Sequence, residues 1–145
     1  MAFTGNYTCN SFKQQLFEGD FDFSATTTQV FKIALYTNDA TLDQTTTAYS
    51  VGTAGQVSAS GYTAGGQVIT PSLAIDSSTG IAYIDFSNAS WSGAFTARGA
   101  LIYKADGVTN PAICVLDFGA DKTSTTTFQV EFPPNTSTAA LIRLA

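Results

Sequence analysis

Short runs in which side chains alternate with a period of two dominate the sequence after residue 30. In the run 31–36, Phe31, Ile33 and Leu35 would point to one side of a strand. Successive side chains of a strand point to opposite faces, and the aromatic and β-branched residues common in these runs fit a pleated surface. Six further runs share the pattern: 68–70, 81–86, 97–103, 112–118, 127–132 and 140–144. We therefore predict a chain built mainly from short strands.

The segments between the runs indicate how the strands connect. Turn-forming residues at 76–80, 105–107 and 119–122 separate the runs, and Pro133 ends the run 127–132 because proline cannot donate a hydrogen bond to a sheet. No long helical pattern alternates with the runs, as parallel βαβ units would require. The prediction is an all-β fold, an antiparallel β-sandwich or jelly roll, in a single domain spanning residues 1–145.

One N-terminal segment is predicted to be helical. The segment 11–18 has an N-cap candidate at its start, either Asn10 or Ser11. It precedes Gly19, which suits the left-handed position after a helix. Phe12 and Leu16 lie four residues apart and would share the face that packs on the core. Residues 1–24 are therefore expected to form an N-terminal arm with a short helix.

The composition excludes several classes of function. Charged residues make up 12% of the chain, whereas an average soluble protein has ~25%, and 6 basic and 11 acidic residues give a net charge of −5. Nucleic-acid binding needs clustered positive charge, which this chain lacks. The sequence contains no histidine, which removes the usual general base near neutral pH and the commonest metal ligand. We predict that the protein is not an enzyme, has no cofactor or metal ion and does not bind nucleic acid.

The remaining polar clusters do not form a recognisable reactive site. Asp85, Asp117 and Glu131 lie in predicted strands whose alternation places them on a solvent face rather than together. The acids within 20–22 and 38–43 lack the spacing of a calcium loop and suit turn roles. The glycine-rich GYTAGG segment is followed by neither a lysine nor a predicted helix, so it is not a phosphate-binding loop.

The N-terminus and the two cysteines indicate the cellular compartment in which the protein is expected to be made. The first residues carry neither the positive nor the apolar segment of a secretory signal, and no apolar run reaches the roughly 18–20 residues that span a bilayer. We expect synthesis in a host cytoplasm and no membrane partner. Cys9 and Cys114 are then expected to be free thiols, with Cys114 in a buried strand, and a disulfide between them is the alternative.

The longest irregular stretch covers residues 37–67 and contains five glycines. Loops of this length are uncommon in compact domains and are often functional. Two interpretations stay open: a binding loop, or partial pairing as an edge strand over residues 47–51.

The low charge also constrains the surface. A strand-rich chain with few charged side chains has little with which to block its strand edges. Its edges and apolar patches are therefore expected to be covered by other subunits, and we predict a homo-oligomer, a dimer or a trimer.

Five segments resemble a family of small proteins encoded among the virion genes of tailed bacteriophages. They are CNSFK at 9–13, FKIALYT at 31–37, GYTAGG at 61–66, TARGALIY at 96–103 and VLDFGADKTS at 115–124. The resemblance keeps the order of the segments and spans nearly the whole chain. It implies a β-rich virion structural protein, and a capsid decoration or cement protein fits this size. The implied partner is the major capsid protein, bound at the capsid surface of the virion, where contacts between capsomers would be stabilised.

The candidate contact residues are aromatic side chains in two polar segments, residues 2–10 and the long loop. We predict Phe3 and Tyr7 in the first segment, and Tyr49 and Tyr62 in the second, as partner-binding residues that become ordered on docking.

Trp91 is the fifth candidate. Together with Tyr62 it would form an exposed platform for a host glycan if the protein is instead a tail, fibre or neck module. The alternative for Trp91 is a buried position in the core.

Overall fold

The computed structural model describes residues 3–145, so the first two residues of the predicted N-terminal arm lie outside the described range. The chain forms one helix and ten strands within these residues. In chain order they are β1 (Tyr7–Thr8), α1 (Asn10–Glu18), β2 (Phe31–Tyr36), β3 (Gln67–Ile69), β4 (Pro71–Asp76), β5 (Ile81–Phe86), β6 (Ala89–Ser92), β7 (Thr96–Lys104), β8 (Ala112–Thr123), β9 (Thr127–Val130) and β10 (Ile142–Leu144).

The strands form three antiparallel sheets. The largest has five strands in the order β1-β8-β7-β2-β3, a second has three in the order β10-β5-β4, and β6 pairs with β9. Side chains from all three sheets join one hydrophobic core. This confirms the predicted all-β, sandwich-like fold with one short N-terminal helix.

The five-stranded sheet is covered on both faces. On one face Phe31 stacks on Phe23 with ring centroids 5.0 Å apart and contacts Phe86 of the three-stranded sheet. On the other face Tyr103 stacks under Tyr49, with centroids 4.4 Å apart. The long loop therefore covers one side of this sheet, and the aromatic residues around Phe31 join the other side to the smaller sheets.

The helix begins one residue earlier than predicted and ends where predicted. Its N-cap is Cys9, an extended residue whose side chain makes no capping hydrogen bond. The Cys9 N–H instead donates to the Ile113 carbonyl at 2.9 Å, so pairing with β8 fixes the start of the helix. Gly19 is left-handed at φ 85°, and the N–H groups of residues 19 and 20 donate to helix carbonyls as in a Schellman motif.

The predicted strands 31–36 and 81–86 are confirmed at both ends. The predicted turn at 119–122 is wrong, because these residues lie within the twelve-residue β8. Gly119 has a φ of 80°, so the strand bends there without ending.

The long loop contains bridges but no strand between β2 and β3. Of the predicted edge strand 47–51, only Ala48 makes an isolated bridge, to Pro111. Residues 55–57 continue the edge of the sheet instead: Thr37 N–H donates to the Gly55 carbonyl at 2.7 Å, and Val57 N–H donates to the Leu35 carbonyl at 3.0 Å. The loop thus satisfies the backbone of β2 beyond the end of β3.

Candidate interaction surface

The three-stranded sheet has one apolar face that the rest of the molecule covers only in part. Its strand pairing places two rows of apolar side chains on this face. One row is Leu73, Ile84 and Ile142, and the other is Ile75, Ala82 and Leu144.

Coverage of this face differs between the strands. On the middle strand β5, Ile84 and Phe86 are buried, and Phe86 contacts the rings of Phe23 and Phe31. On the outer strands, Leu73 and Ile75 of β4 are 54% and 66% exposed, and Leu144 of β10 is 55% exposed. Exposed apolar residues that cluster on one sheet face mark an interaction site more often than scattered ones do.

An apolar groove of about 300 Å³ runs between this face and the helix. Phe12 and Leu16 of α1 form one wall, and Leu73 and Leu144 belong to the other. Asp22 is the charged side chain in the described lining. The groove therefore suits aliphatic or aromatic side chains of another molecule.

The opposite face of the same sheet is polar, and residues 133–141 pack against part of it. The Asn135 amide donates to Ser72 Oγ at 2.8 Å, and the Ser137 hydroxyl donates to Asp76 Oδ2 at 2.7 Å. Hydrogen bonds from Ser78 and Ser137 hold the pKa of the Asp76 carboxyl well below its usual range. Residues 133–141 thus cover part of the polar face, whereas the side chains left open on the apolar face are large and aliphatic.

Three of the five predicted contact residues lie in the core. Phe3 is fully buried, and Tyr49 and Trp91 are 5% and 2% exposed. Trp91 packs edge-to-face on Phe128, with ring centroids 6.2 Å apart. The exposed position considered for Trp91 is wrong, and its alternative, a buried position in the core, is confirmed. Phe3 and Tyr49 also fill space under a sheet or loop, and whether they contact a partner stays a prediction.

The two remaining candidates are half-buried. The Tyr62 hydroxyl accepts the Leu35 N–H at 2.9 Å, and burial raises the pKa of this phenol. The Tyr7 hydroxyl bonds Thr4 Oγ1 at 2.7 Å. Both tyrosines therefore have hydrogen-bonding roles within the fold, and whether they also contact a partner stays a prediction.

The predicted arm is part of the sheet in the described residues. Thr8 pairs with Cys114 in the β1–β8 ladder, and Asn6 Oδ1 accepts the Asp117 N–H at 2.7 Å. Ordering of this segment therefore does not have to wait for docking. Both cysteines are free and buried, and burial raises the pKa of the Cys9 thiol to about 11.

The acidic residues have separate local roles. Asp22 and Asp43 accept hydrogen bonds from Ser24 and Thr45 two residues further along, as in Asx turns. Asp117 pairs with Arg98 at 3.0 Å. Among residues 3–145, no group of three or more His, Cys, Asp and Glu side chains could hold a metal ion.

Asp85 is a correction to the predicted solvent face. It is only 2% exposed, because residues 133–141 cover its side of the sheet. Its Oδ1 accepts the Phe86 N–H at 2.9 Å, whereas Oδ2 has no hydrogen-bond partner among the described residues. Burial therefore raises the pKa of this carboxyl.

Replacing Asp85 by asparagine is expected to stabilise the protein at pH 7. The folded state disfavours the ionised carboxylate, so wild-type stability falls as pH rises through the unfolded and then the folded pKa, whereas an asparagine side chain does not ionise. We expect a gain of about 1 kcal/mol at pH 7 that disappears near pH 3, measured by urea unfolding at both values. Asp121→Asn on the exposed end of β8 is the control, and an equal or larger gain at pH 3 would contradict the proposed cause.

The residues that form the open surface were only partly visible in the sequence. Phe12 and Leu16 were predicted to share a helix face, but Leu73 and Ile75 were not identified. The available signal was their alternation with Ser72 and Ala74 over a stretch that follows β3 after a single residue.

Comparison of the chain with protein-family models, curated proteins and solved structures finds no match. Within the described residues, no helix is long and apolar enough to cross a membrane. A function for this chain is therefore proposed from the surface described above together with the expectations drawn from the sequence.

Proposed function

We propose that this chain is a non-enzymatic structural protein of a tailed-bacteriophage virion, and specifically a capsid decoration or cement protein. It would bind the outer shell and stabilise the contacts between capsomers. The observation that carries the proposal is the open apolar groove between α1 and the β4–β5–β10 sheet. Such a groove fits an apolar segment of another protein.

The proposed partner is the major capsid protein, met at the capsid surface of the virion. Binding would come from apolar contacts that the symmetry of the shell repeats many times. A modest affinity at each site is then multiplied by avidity, especially if the decoration protein is itself a homo-oligomer. The net charge of −5 suits the outer face of the shell, away from the packaged nucleic acid.

A tail, fibre or neck module is the alternative within the same class of particle. The glycan-binding version of that alternative required an exposed indole, and Trp91 is buried against Phe128. A neck or tail position remains distinguishable from decoration by copy number, because rings at those positions hold few subunits.

The first test is to count this chain in purified particles of the phage that encodes it. Quantitative mass spectrometry is expected to give a copy number close to that of the major shell protein. About a dozen copies would favour a neck or tail position instead. Absence from the particle would overturn the virion assignment.

The second test addresses the groove. Leu144→Asp places a charge on the wall of the groove at a position that is already 55% exposed, and we expect at least tenfold weaker co-sedimentation with undecorated shells. Val108→Asp is the matched control, because Val108 is 86% exposed in a turn outside the groove. Equal binding by the two variants would contradict a role for the groove while leaving the copy number to decide the virion assignment.

A further inference from the structure

Strand β4 is an unprotected sheet edge. Within residues 3–145 it hydrogen-bonds to β5 on one side and to no strand on the other. It has six residues, whereas the other outermost strands, β1, β3, β6, β9 and β10, have two to four. The part of β8 that extends beyond β1 carries Asp121 and Lys122 and the left-handed Gly119. Short length, charges and bulges are the usual protection of sheet edges, and β4 has only Pro71 and Asp76 at its ends.

The exposed side chains of β4 are apolar. Leu73 and Ile75 are more than half exposed on the apolar face of the sheet, while Ser72 and Asp76 form hydrogen bonds with residues 135 and 137 on the polar face. A strand that adds to this edge must therefore present apolar side chains on one face and small or polar ones on the other.

We propose that β4 pairs with β4 of a second copy of this chain, in antiparallel orientation across a two-fold axis, so that two three-stranded sheets become one six-stranded sheet. The proposal holds whether or not the protein decorates a capsid.

One antiparallel register pairs residues 72–76 of β4 with the same residues of the second copy and keeps the apolar side chains on one face. With Ala74 opposite Ala74 of the second copy, Leu73 lies opposite Ile75, which joins the two apolar faces. The same register sets Ser72 opposite Asp76, so like charges do not meet. It also leaves Pro71, which has no N–H, outside the paired stretch. A shift by one residue would place the apolar side chains of one copy on the same face of the sheet as the polar side chains of the other.

The proposed contact is small. The two short strands pair edge to edge, and the four half-exposed aliphatic side chains touch across the junction but stay partly exposed on the apolar face. The buried area is therefore at or below the low end for specific interfaces, on the order of 1,000 Å² in total or less. We therefore expect a dimer with a dissociation constant of about 1–100 μM, which a larger assembly would strengthen by avidity.

Sedimentation of the full chain over a range of concentrations tests the proposal. The mass is expected to rise from 15.2 kDa towards twice that value, and Ile75→Lys is expected to raise the dissociation constant at least tenfold because it places a charge opposite Leu73. Val108→Lys, the same kind of change at an 86% exposed position, is expected to leave the dimer intact. A wild-type protein that stays monomeric at about 200 μM, a trimer, or an Ile75→Lys variant that dimerises normally would each overturn the proposal.

Cysteine cross-linking tests the register. Residues on the two-fold axis face their own copies, so Ala74→Cys is expected to form a disulfide-linked dimer under mild oxidation much faster than Ile75→Cys, whose side chain faces residue 73. The native cysteines are buried, so the wild-type protein is the background control. Cross-linking that is no faster at residue 74 than at residue 75 would overturn the proposed pairing, and this result is independent of any test of capsid binding.

Discussion

Replacing Trp91 by alanine is expected to lower the free energy of unfolding by about 3–5 kcal/mol. The indole is 2% exposed and packs on Phe128 and Tyr62, so its removal leaves a cavity that the strands β6 and β9 cannot close without shifting. A loss of this size is comparable to the whole stability of many domains of this length. Urea unfolding followed by circular dichroism measures it.

Phe17→Ala is the control for Trp91→Ala. Phe17 is 92% exposed on α1, so removing its ring is expected to change the free energy of unfolding by less than about 0.5 kcal/mol. A loss below about 1 kcal/mol for Trp91→Ala would show that the indole is not a core residue. The same stability measurement is needed to interpret any loss of glycan binding by Trp91→Ala. An unfolded variant would lose binding even if the indole had no role in recognition.

Replacing Gly66 by alanine is expected to be the most damaging small substitution, with a loss of more than about 3 kcal/mol. Gly66 has a φ of 78°, which L side chains rarely adopt, and an added Cβ would collide with the carbonyl oxygen of Ile33. Ile33 lies in the central strand β2, so the backbone there cannot move away without breaking its pairing on both sides.

Gly80→Ala separates the two causes of the Gly66 effect. Gly80 has nearly the same backbone conformation, with a φ of 73°, but an added Cβ would meet no atom within 4 Å. Its replacement is expected to cost about 1–2 kcal/mol, which is the contribution of the left-handed backbone alone. Equal losses for the two variants, measured by urea unfolding, would contradict the proposed collision.

The sequence predicted well the elements whose pattern is local. The apolar runs of β2 and β5 matched the observed strands at both ends, because their aromatic and β-branched residues fit a pleated surface. Gly19 was predicted to follow the helix, because only a residue that tolerates a left-handed backbone fits that position.

The elements that were missed depend on contacts between distant parts of the chain. Only Thr70 separates β3 from β4, so the boundary between these two strands is a bend from one sheet to another. No local sequence pattern indicates this bend. Asp85 is buried because residues 133–141 fold over it, and Trp91 because β9 supplies Phe128. The candidate surface was missed for the same reason: Leu73 and Leu144 become neighbours of Leu16 only when the sheet docks on the helix.

The pairing of β1 with β8 also determines when the five-stranded sheet can be completed during synthesis. Tyr7 lies opposite Val115, and Asn6 Oδ1 accepts the backbone N–H of Asp117, so β1 has no partner until more than a hundred further residues are synthesised. Contacts of such long sequence separation form slowly. In a nascent chain β1 therefore stays unpaired until β8 is made, and termination of translation before β8 would leave the side of β7 that β8 covers open to solvent.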